Sequence, residues 1–349
     1  MKNLGLKNFW YSLLKAYVKI SLHFYFGKIE ANGLENIPKN GAVLFLPNHQ
    51  KALMDVLLIV VDCNRKPYFL ARSDIFRKKA LREFFAFLRM IPIYRMRDGR
   101  KSLANNEVVF NQCAQLFKKE EAIVIFPEAN HNLRRRVRPL SKGFTRFVFN
   151  FMDGNPNGEI LLVPVGLNYK EKGRFPDRVA LYYGKPIASS KFYDAHNANE
   201  SATALKLAVS EELKKLTTHI EYESNYEAIE EALINQKVDF LNPKEVNNAI
   251  QHLDFNTSSS STIKKGLNFF DLLFKTLNIL WLLPWYLLVK PKVWEPEFLS
   301  TMRFAYALIV YPFYLLILGA ALFIFADTLL AIVVITAIFI FNFLYVGTR

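Results

Sequence analysis

Two long apolar stretches near the end of the sequence limit what this chain can fold into. One runs from Phe304 to Phe325 and the other from Thr328 to Val346; neither contains a charged residue, and Asp327 lies between them. At about 1.5 Å of rise per residue, each is long enough to cross a hydrocarbon core of ~30 Å as a helix. The alternative is a very hydrophobic helix pair buried in a soluble protein. We predict two transmembrane helices, at about 304–325 and 328–346, joined as a hairpin.

The segment before the hairpin, 273–289, is apolar but contains Lys275 and Pro284. Its uninterrupted part is short for a membrane span, so we predict an interfacial or re-entrant segment. Its aromatic residues suit the headgroup level of a membrane. They are Trp281, Trp285 and Tyr286.

The first 27 residues have the pattern of an amphipathic helix rather than of a signal peptide, because Lys15 and Lys19 interrupt the apolar run. Lys7 joins these two lysines on one face of the helix. The opposite face carries Leu6, Trp10, Leu13, Leu14, Tyr17 and Val18. We predict that residues 1–27 lie in an anionic membrane surface. An ordinary helix packed against the rest of the protein is the alternative.

The middle of the chain alternates between strand-like and helical patterns. The strands are predicted at 41–48, 66–71, 121–128, 160–169 and 179–185, and the helices at 53–62, 73–89, 102–120 and 141–152. Strands that are apolar throughout and alternate with helices indicate an α/β fold with a central sheet flanked by helices. The predicted division is an α/β domain at 28–198, a helical appendage at 199–255, a polar linker at 256–262 and a membrane region at 263–349.

The charge of the chain is strongly positive. Its 45 Lys and Arg residues against 31 Asp and Glu give a formal net charge of +14, which favours an anionic partner. Arg65 to Lys101 contains twelve basic residues, and Arg134 to Arg146 contains six and no acid. Nucleic-acid binding is the general alternative, but two predicted spans and the absence of a recognisable module disfavour it. Two cysteines and no HExxH motif predict no catalytic metal, and no phosphate-binding loop predicts no nucleotide cofactor.

The run PNHQKALMD, at the junction of a predicted strand and helix, carries the strongest candidate for chemistry. His49 lies in the turn and Asp55 in the following helix. If His49 precedes the first helical turn, its ring can fold back to the carboxylate, which would orient it as a general base for a hydroxyl group. An unrelated His and Asp at a helix start remain the alternative for this pair alone.

Four further blocks follow in order: IPIYR (91–95), FPEANHNLRRR (126–136), LSKGFTRF (140–147) and VPVGLNY (163–169). With the NH…D run they resemble the glycerolipid acyltransferase family, which includes lysophosphatidate and glycerol-3-phosphate acyltransferases. The resemblance covers residues 28–190. It implies a glycerol-phosphate acyltransferase-like fold in the α/β domain.

The resemblance also implies site residues. His49 corresponds to the catalytic base and Asp55 to its orienting partner, while Arg95 and Glu128 correspond to residues that hold the glycerol-phosphate acceptor. Pro164 falls in the block used for the acyl-donor side. The basic run adds Arg134 and Lys142 as expected substrate-binding residues.

Two departures from the family pattern stand out. Five residues separate the His and the Asp, where the usual signature has four, and the longer gap is found mostly among the glycerol-3-phosphate members. ANHN replaces GTRS after FPE, so that block lacks its arginine. Arg134, Arg135 or Arg136 is expected to compensate.

The expected activity is membrane-bound transfer of a fatty acyl group from acyl coenzyme A or acyl carrier protein to lysophosphatidate in phospholipid synthesis. Glycerol-3-phosphate or another lyso-lipid as acceptor, and a non-catalytic membrane-binding scaffold, are the alternatives. Basic residues flank the hairpin at both ends, so the catalytic domain is expected on the cytoplasmic side of the inner (cytoplasmic) membrane. These flanking residues are Lys290, Lys292, Arg303 and Arg349.

Overall fold

A computed structural model describes residues 2–94, 104–221, 224–253 and 268–349. The predicted linker at 256–262 and Arg95 lie outside these residues. The strands are β1 (Phe26–Asn32), β2 (Ala42–Pro47), β3 (Tyr68–Arg72), β4 (Met90–Ile93), β5 (Ala122–Val124), β6 (Ile160–Tyr169), β7 (Asp177–Tyr183) and β8 (Ile187–Ala188). The helices of the first 253 residues are α1 (Lys2–His23), α2 (Leu53–Asp62), α3 (Lys79–Phe87), α4 (Asn105–Lys118), α5 (Gly143–Asp153), α6 (Ala198–Leu216), α7 (Tyr226–Asn235) and α8 (Pro243–Gln251). Those of the membrane region are α9 (Phe269–Leu277), α10 (Ile279–Pro284), α11 (Leu299–Phe325) and α12 (Thr328–Gly347).

The eight described strands form one mixed sheet in the order β1-β7-β6-β2-β5-β3-β4, with β8 paired to β6. β2 lies at its centre and pairs in parallel with both β5 and β6. Its six residues are all buried, as expected for a strand covered on both faces. The antiparallel pairs are β6 with β7 and β6 with β8.

The two faces of the sheet carry two apolar layers, because successive side chains of a strand point to opposite sides. Leu44 and Leu46 of β2 face a layer formed with α4, α5 and α6. Val43 and Phe45 face the other layer, which includes Leu58 of α2 and reaches α1 and α11. The predicted α/β sheet flanked by helices is therefore confirmed.

The individual strand predictions differ in accuracy. β2 and β6 occupy the predicted segments closely, because both are long apolar runs. The predicted strand at 121–128 ends at Val124, and the FPE residues that follow form a turn. β1, β4 and β8 were not predicted, since β1 is largely polar and the other two are four and two residues long.

The predicted appendage contains two differently placed parts. α6 buries Leu205, Val209 and Leu213 in the same layer as α4 and α5, so it covers the sheet. α7 and α8 form a separate small core around Tyr226 and Val246. Only these last two helices are peripheral to the sheet.

The described residues contain two helices that are long and apolar enough to cross a membrane, Pro296–Phe325 and Thr328–Gly347. They correspond to the predicted hairpin. Asp327 lies in the turn and accepts hydrogen bonds from the backbone N–H groups of Leu329 and Leu330 at 2.9 and 3.4 Å. The single acid in this region therefore caps the start of α12.

The apolar segment before the hairpin is bent. Phe269–Leu277 and Ile279–Lys292 meet at 81°, a geometry that fits a broken span or a re-entrant loop. The bend lies at Asn278 rather than at Pro284. The Asn278 side chain exchanges hydrogen bonds of 2.8 and 2.9 Å with Asn342 of α12, which fixes the bend against the hairpin.

Helix α1 directs lysines toward the protein and large apolar side chains outward, which is the opposite of an ordinary surface helix. Lys15 donates to the Cys63 carbonyl at 3.3 Å and Lys19 lies 3.8 Å from Asp62, so its basic face is turned toward the protein. The opposite face exposes large apolar side chains. These are Leu6, Phe9, Trp10, Leu13, Tyr17 and Ile20. An apolar face of this kind fits contact with a membrane surface.

Candidate active site

Polar residues of the motifs lie together at one edge of the sheet. β2, β3, β5 and β6 are mutually parallel, so their carboxyl ends lie together, and antiparallel β7 begins at the same edge. His49 follows β2, Glu128 follows β5, Tyr169 ends β6 and Asp177 begins β7. This edge is where open α/β sheets bind their ligands.

His49 and Asp55 are in direct contact. His49 precedes the first turn of α2, Asp55 lies within that turn, and His49 Nδ1 is 2.8 Å from Asp55 Oδ2. Ala52, between them, has φ of 48°, in the left-handed region, which turns the chain sharply into the helix. The five-residue gap is therefore compatible with the contact.

The carboxylate of Asp55 is fully buried and held by four donors. Oδ2 also accepts from the backbone N–H groups of Gln50 and Lys51 at 2.7 and 2.9 Å, and Oδ1 accepts from the Tyr169 hydroxyl at 2.5 Å. Burial and the neighbouring carboxylate keep the pKa of Tyr169 well above its ordinary value, so the phenol remains a donor. These bonds fix the carboxylate, which in turn fixes the imidazole.

The His49 ring is placed with one nitrogen directed away from Asp55. Its side chain is 17% exposed and stacks on Phe126 with ring centroids 3.9 Å apart. The His49 carbonyl accepts from the Asn132 N–H at 3.0 Å, which ties the turn after β2 to the turn after β5. Within the described residues, Nε2 has no hydrogen-bond partner. Because Nδ1 donates to Asp55, Nε2 is the nitrogen able to accept a substrate proton.

His131 lies next to His49, with ring centroids 5.6 Å apart. Burial, and secondly the neighbouring His49, lower the pKa of His131 to about 4. It is therefore neutral near pH 7. Its Nε2 is 3.3 Å from Glu295 Oε2 and its ring contacts Phe298 edge-on at 4.7 Å, so the residues just before α11 form one wall beside the two histidines.

Glu128 is buried and paired with an arginine. Its Oε2 accepts from Arg138 Nε and Nη2 at 3.2 and 2.8 Å, and its Oε1 accepts from the Arg138 backbone N–H at 3.2 Å. Burial raises the pKa of Glu128, and Arg138 opposes that rise. Nη1 of Arg138 has no partner among the described residues, so this guanidinium keeps donors for an anion.

The other expected binding residues are placed differently. Arg134 forms a 3.0 Å ion pair with Glu227 of α7 and lies over the Tyr226 ring, so it contacts the small core rather than Glu128. Arg135 is buried and donates to the carbonyls of Tyr169 and Lys170 at 2.6 and 2.8 Å. Lys142 is exposed at the start of α5.

Sequence reasoning missed three residues around the dyad: Arg138, Tyr169 and Lys51. Lys51 is 1% exposed, its Nζ lies 2.5 Å from Asp177 Oδ2, and it donates to the Glu171 carbonyl at 2.7 Å. Burial lowers the pKa of Lys51, and the Asp177 carboxylate opposes this decrease. A lysine inside the NHQKALMD run was the available signal, but its partner is 126 positions away.

The loop between β2 and α2, which carries His49 and Lys51, also contacts the membrane region. The Thr301 hydroxyl, in the first turn of α11, donates to the Lys51 carbonyl at 3.1 Å, and both residues are buried. The loop that carries the dyad is thus held between the sheet and the first membrane helix.

The described residues contain no group of three or more His, Cys, Asp or Glu side chains that could hold a metal ion. The His49–Asp55 pair can remove a proton from a hydroxyl group without a metal ion. Such a pair suits transfer to an alcohol of an acyl group that is already activated.

A family model described as Acyltransferase matches residues 28–168. Over 161 residues the chain is 26% identical to a chloroplastic 1-acyl-sn-glycerol-3-phosphate acyltransferase of Brassica napus, covering 46% of this chain and 44% of that protein. Over 100 residues it is 29% identical to glycerol-3-phosphate O-acyltransferase 1 of Saccharomyces cerevisiae, covering 28% of this chain and 13% of the relative. The matched segments thus span less than half of these relatives' lengths.

Among solved structures, the 1-acyl-sn-glycerophosphate acyltransferase PlsC from Thermotoga maritima aligns with a TM-score of 0.42 and 17% identity. The alignment covers 60% of this chain and 82% of that one. The family model and the curated relatives confirm the resemblance seen in the motifs. Through residues 28–168, which match the Acyltransferase model, the chain is thus similar to glycerolipid acyltransferases.

Proposed function

We propose that this chain is a membrane-bound acyltransferase that moves a fatty acyl group from an acyl thioester to the hydroxyl of lysophosphatidate, in phospholipid synthesis. The observation that carries the proposal is the contact between His49 and the four-donor carboxylate of Asp55. The relatives named for lysophosphatidate and glycerol-3-phosphate acylation support the substrate class.

In the proposed reaction His49 acts as general base. Nε2 takes the proton of the acceptor hydroxyl while its oxygen attacks the thioester carbonyl, and Asp55 stabilises the imidazolium. The tetrahedral intermediate then collapses, the carbon–sulfur bond breaks, and the departing thiolate takes the proton from Nε2. The products are the ester and the free thiol of coenzyme A or of acyl carrier protein. No metal or nucleotide is required, because the thioester is already activated.

The acceptor is proposed to keep its chain in the membrane and its headgroup near Glu128 and Arg138, with a glycerol hydroxyl toward Glu128 and the phosphate toward the Arg138 guanidinium. The outward apolar face of α1 and the hairpin would hold the α/β domain against one leaflet. The basic flanks of the hairpin favour the cytoplasmic side of the inner membrane. Arg95 and Lys142 are proposed as further phosphate contacts.

Glycerol-3-phosphate is the second candidate acceptor. The five residues between His49 and Asp55 favour it, and so does the similarity to two yeast glycerol-3-phosphate acyltransferases. The test uses the purified full chain with radiolabelled palmitoyl coenzyme A or palmitoyl carrier protein, each with lysophosphatidate or glycerol-3-phosphate. We expect labelled phosphatidate from lysophosphatidate. Product from glycerol-3-phosphate but not from lysophosphatidate would show that glycerol-3-phosphate is the acceptor. Folded protein that gives no product with either acceptor would refute the proposed function.

Arg138, rather than Arg134, is expected to bind the acceptor phosphate. Arg138 lies beside the site with Nη1 available, whereas Arg134 is engaged by Glu227. We predict that Arg138→Gln raises the KM for the phosphate acceptor at least ~10-fold, as for loss of a charge-assisted hydrogen bond. The matched variant Arg134→Gln should change this KM less than about twofold. Steady-state kinetics with varied acceptor measures both, and the reverse order of effects would contradict the assignment.

A further inference from the structure

A cavity lies between the α/β domain and the membrane helices, with a volume of about 550 Å³. Pockets that bind small ligands span roughly 300–1,000 Å³, so this one can hold a substantial part of a lipid. Helices α1, α9, α10, α11 and α12 all contribute to its wall. Aromatic side chains dominate the lining, among them Phe175, Phe274, Trp281, Trp285 and Tyr311. Its interior therefore suits an acyl chain.

The charged residues of the cavity are all cations. The described residues that line it include Arg174, Lys275, Lys290 and Arg303, and no acidic side chain. Contacts of Arg303 place it beside the loop before Arg174 and beside an aromatic ring of the cavity. The Arg303 guanidinium lies 3.3 Å from the Gly173 carbonyl and 5.9 Å from the Trp285 ring.

The two lysines line the same cavity next to aromatic residues of its wall. Lys290 is 5.3 Å from the ring of Tyr286, the residue after Trp285. Lys275 follows Phe274, whose ring is 5.9 Å from that of Phe175, the residue after Arg174. An aromatic cavity whose charged lining residues are all cations is complementary to a lipid whose headgroup is anionic.

We propose that this cavity binds an anionic phospholipid drawn from the membrane, with an acyl chain among the aromatic rings and its phosphate beside Arg303. Arg303 is only partly exposed, and its planar fork suits a phosphate. Lys290, Lys275 and Arg174 supply further positive charge around the headgroup. This lipid is bound as a ligand and no bond in it is made or broken.

The lipid site is separate from the dyad. Phe298 contacts His131 and does not line the cavity, whereas Leu299 and Arg303 do, and neither His49 nor Asp55 is among the described lining residues. Binding can therefore be measured without acyl transfer, and the proposal does not depend on the proposed function.

Tryptophan fluorescence provides a direct readout, because Trp281 and Trp285 line the cavity and are buried. The other two tryptophans, Trp10 and Trp294, are exposed and are replaced by phenylalanine. His49→Ala is added to prevent turnover. The full chain in detergent micelles is titrated with phosphatidate or phosphatidylcholine carrying brominated acyl chains, which quench indole fluorescence on contact. We expect half-maximal quenching at a lower mole fraction of phosphatidate than of phosphatidylcholine.

Two variants distinguish lipid binding in the cavity from attraction to surface charge in general. Arg303→Gln combined with Lys290→Gln should raise the half-quenching mole fraction of phosphatidate about tenfold, since both charges line the cavity. Lys292→Gln, two residues from Lys290, exposed and outside the lining, should leave it within twofold. Equal quenching by the two lipids, an equal effect of Lys292→Gln, or loss of quenching on adding free glycerol-3-phosphate would each overturn the proposal.

Discussion

Replacing His49 by alanine is expected to lower kcat/KM for acyl transfer by ~10²- to 10⁴-fold, the usual contribution of a positioned general base. The carboxylate of Asp55 would keep its three other donors, so the loop is expected to hold its shape. Activity of the purified variant is compared with wild type using palmitoyl thioester and the acceptor that wild type uses. An unchanged thermal transition shows that the loss is not one of folding.

His131→Ala is the matched control for this prediction. His131 lies 5.6 Å from His49, centroid to centroid, but the hydrogen bond to Asp55 belongs to His49. We expect its loss to reduce the rate less than about tenfold. A His49→Ala protein that retains the wild-type rate would instead favour the non-catalytic scaffold, or a different base.

Asp177→Asn is expected to have the largest effect on stability. Lys51 and Asp177 are both buried, and removing the negative partner leaves the Lys51 ammonium without a counter-charge. Breaking a buried ion pair in this way typically costs about 3–5 kcal/mol of the free energy of unfolding. Urea titration of the detergent-solubilised chain, followed by tryptophan fluorescence, measures that change.

Two further variants test whether the loss of stability in Asp177→Asn comes from the unpaired buried charge. Lys51→Met in the Asp177→Asn background removes the unpaired charge and should recover part of the loss. Glu212→Gln breaks an exposed pair with Lys215 whose nitrogen–oxygen distance is 2.6 Å, and it should cost less than about 1 kcal/mol. A cost below about 1 kcal/mol for Asp177→Asn would show that the buried ammonium is tolerated without its partner.

The local features of this chain were predictable from sequence. The approach of His49 to Asp55 depends on one turn and the first residues of one helix, so the spacing within a single run suggests it. The hairpin follows from the length of its apolar stretches, and β2 and β6 follow from uninterrupted apolar runs.

The rest depends on contacts between distant parts of the chain. Tyr169 and Asp55 are 114 positions apart, and no local pattern assigns the hydroxyl to that carboxylate. Arg134 and Arg138 belong to one basic run and look equivalent in sequence. They differ because α7 brings Glu227 to Arg134, while the turn after β5 brings Glu128 to Arg138.

The hydrogen bond from Thr301 to the Lys51 carbonyl has a consequence for the biogenesis of the protein. The hairpin is synthesised after the α/β domain, yet its first turn braces the loop that carries His49 and Asp55. Until the hairpin has been made and has docked on the domain, the loop lacks this brace, together with the wall contributed by Phe298. Under the proposed function, the His49–Asp55 loop would thus be complete only once the membrane helices are in place, and a newly made chain would not consume acyl thioesters before it reaches a lipid acceptor.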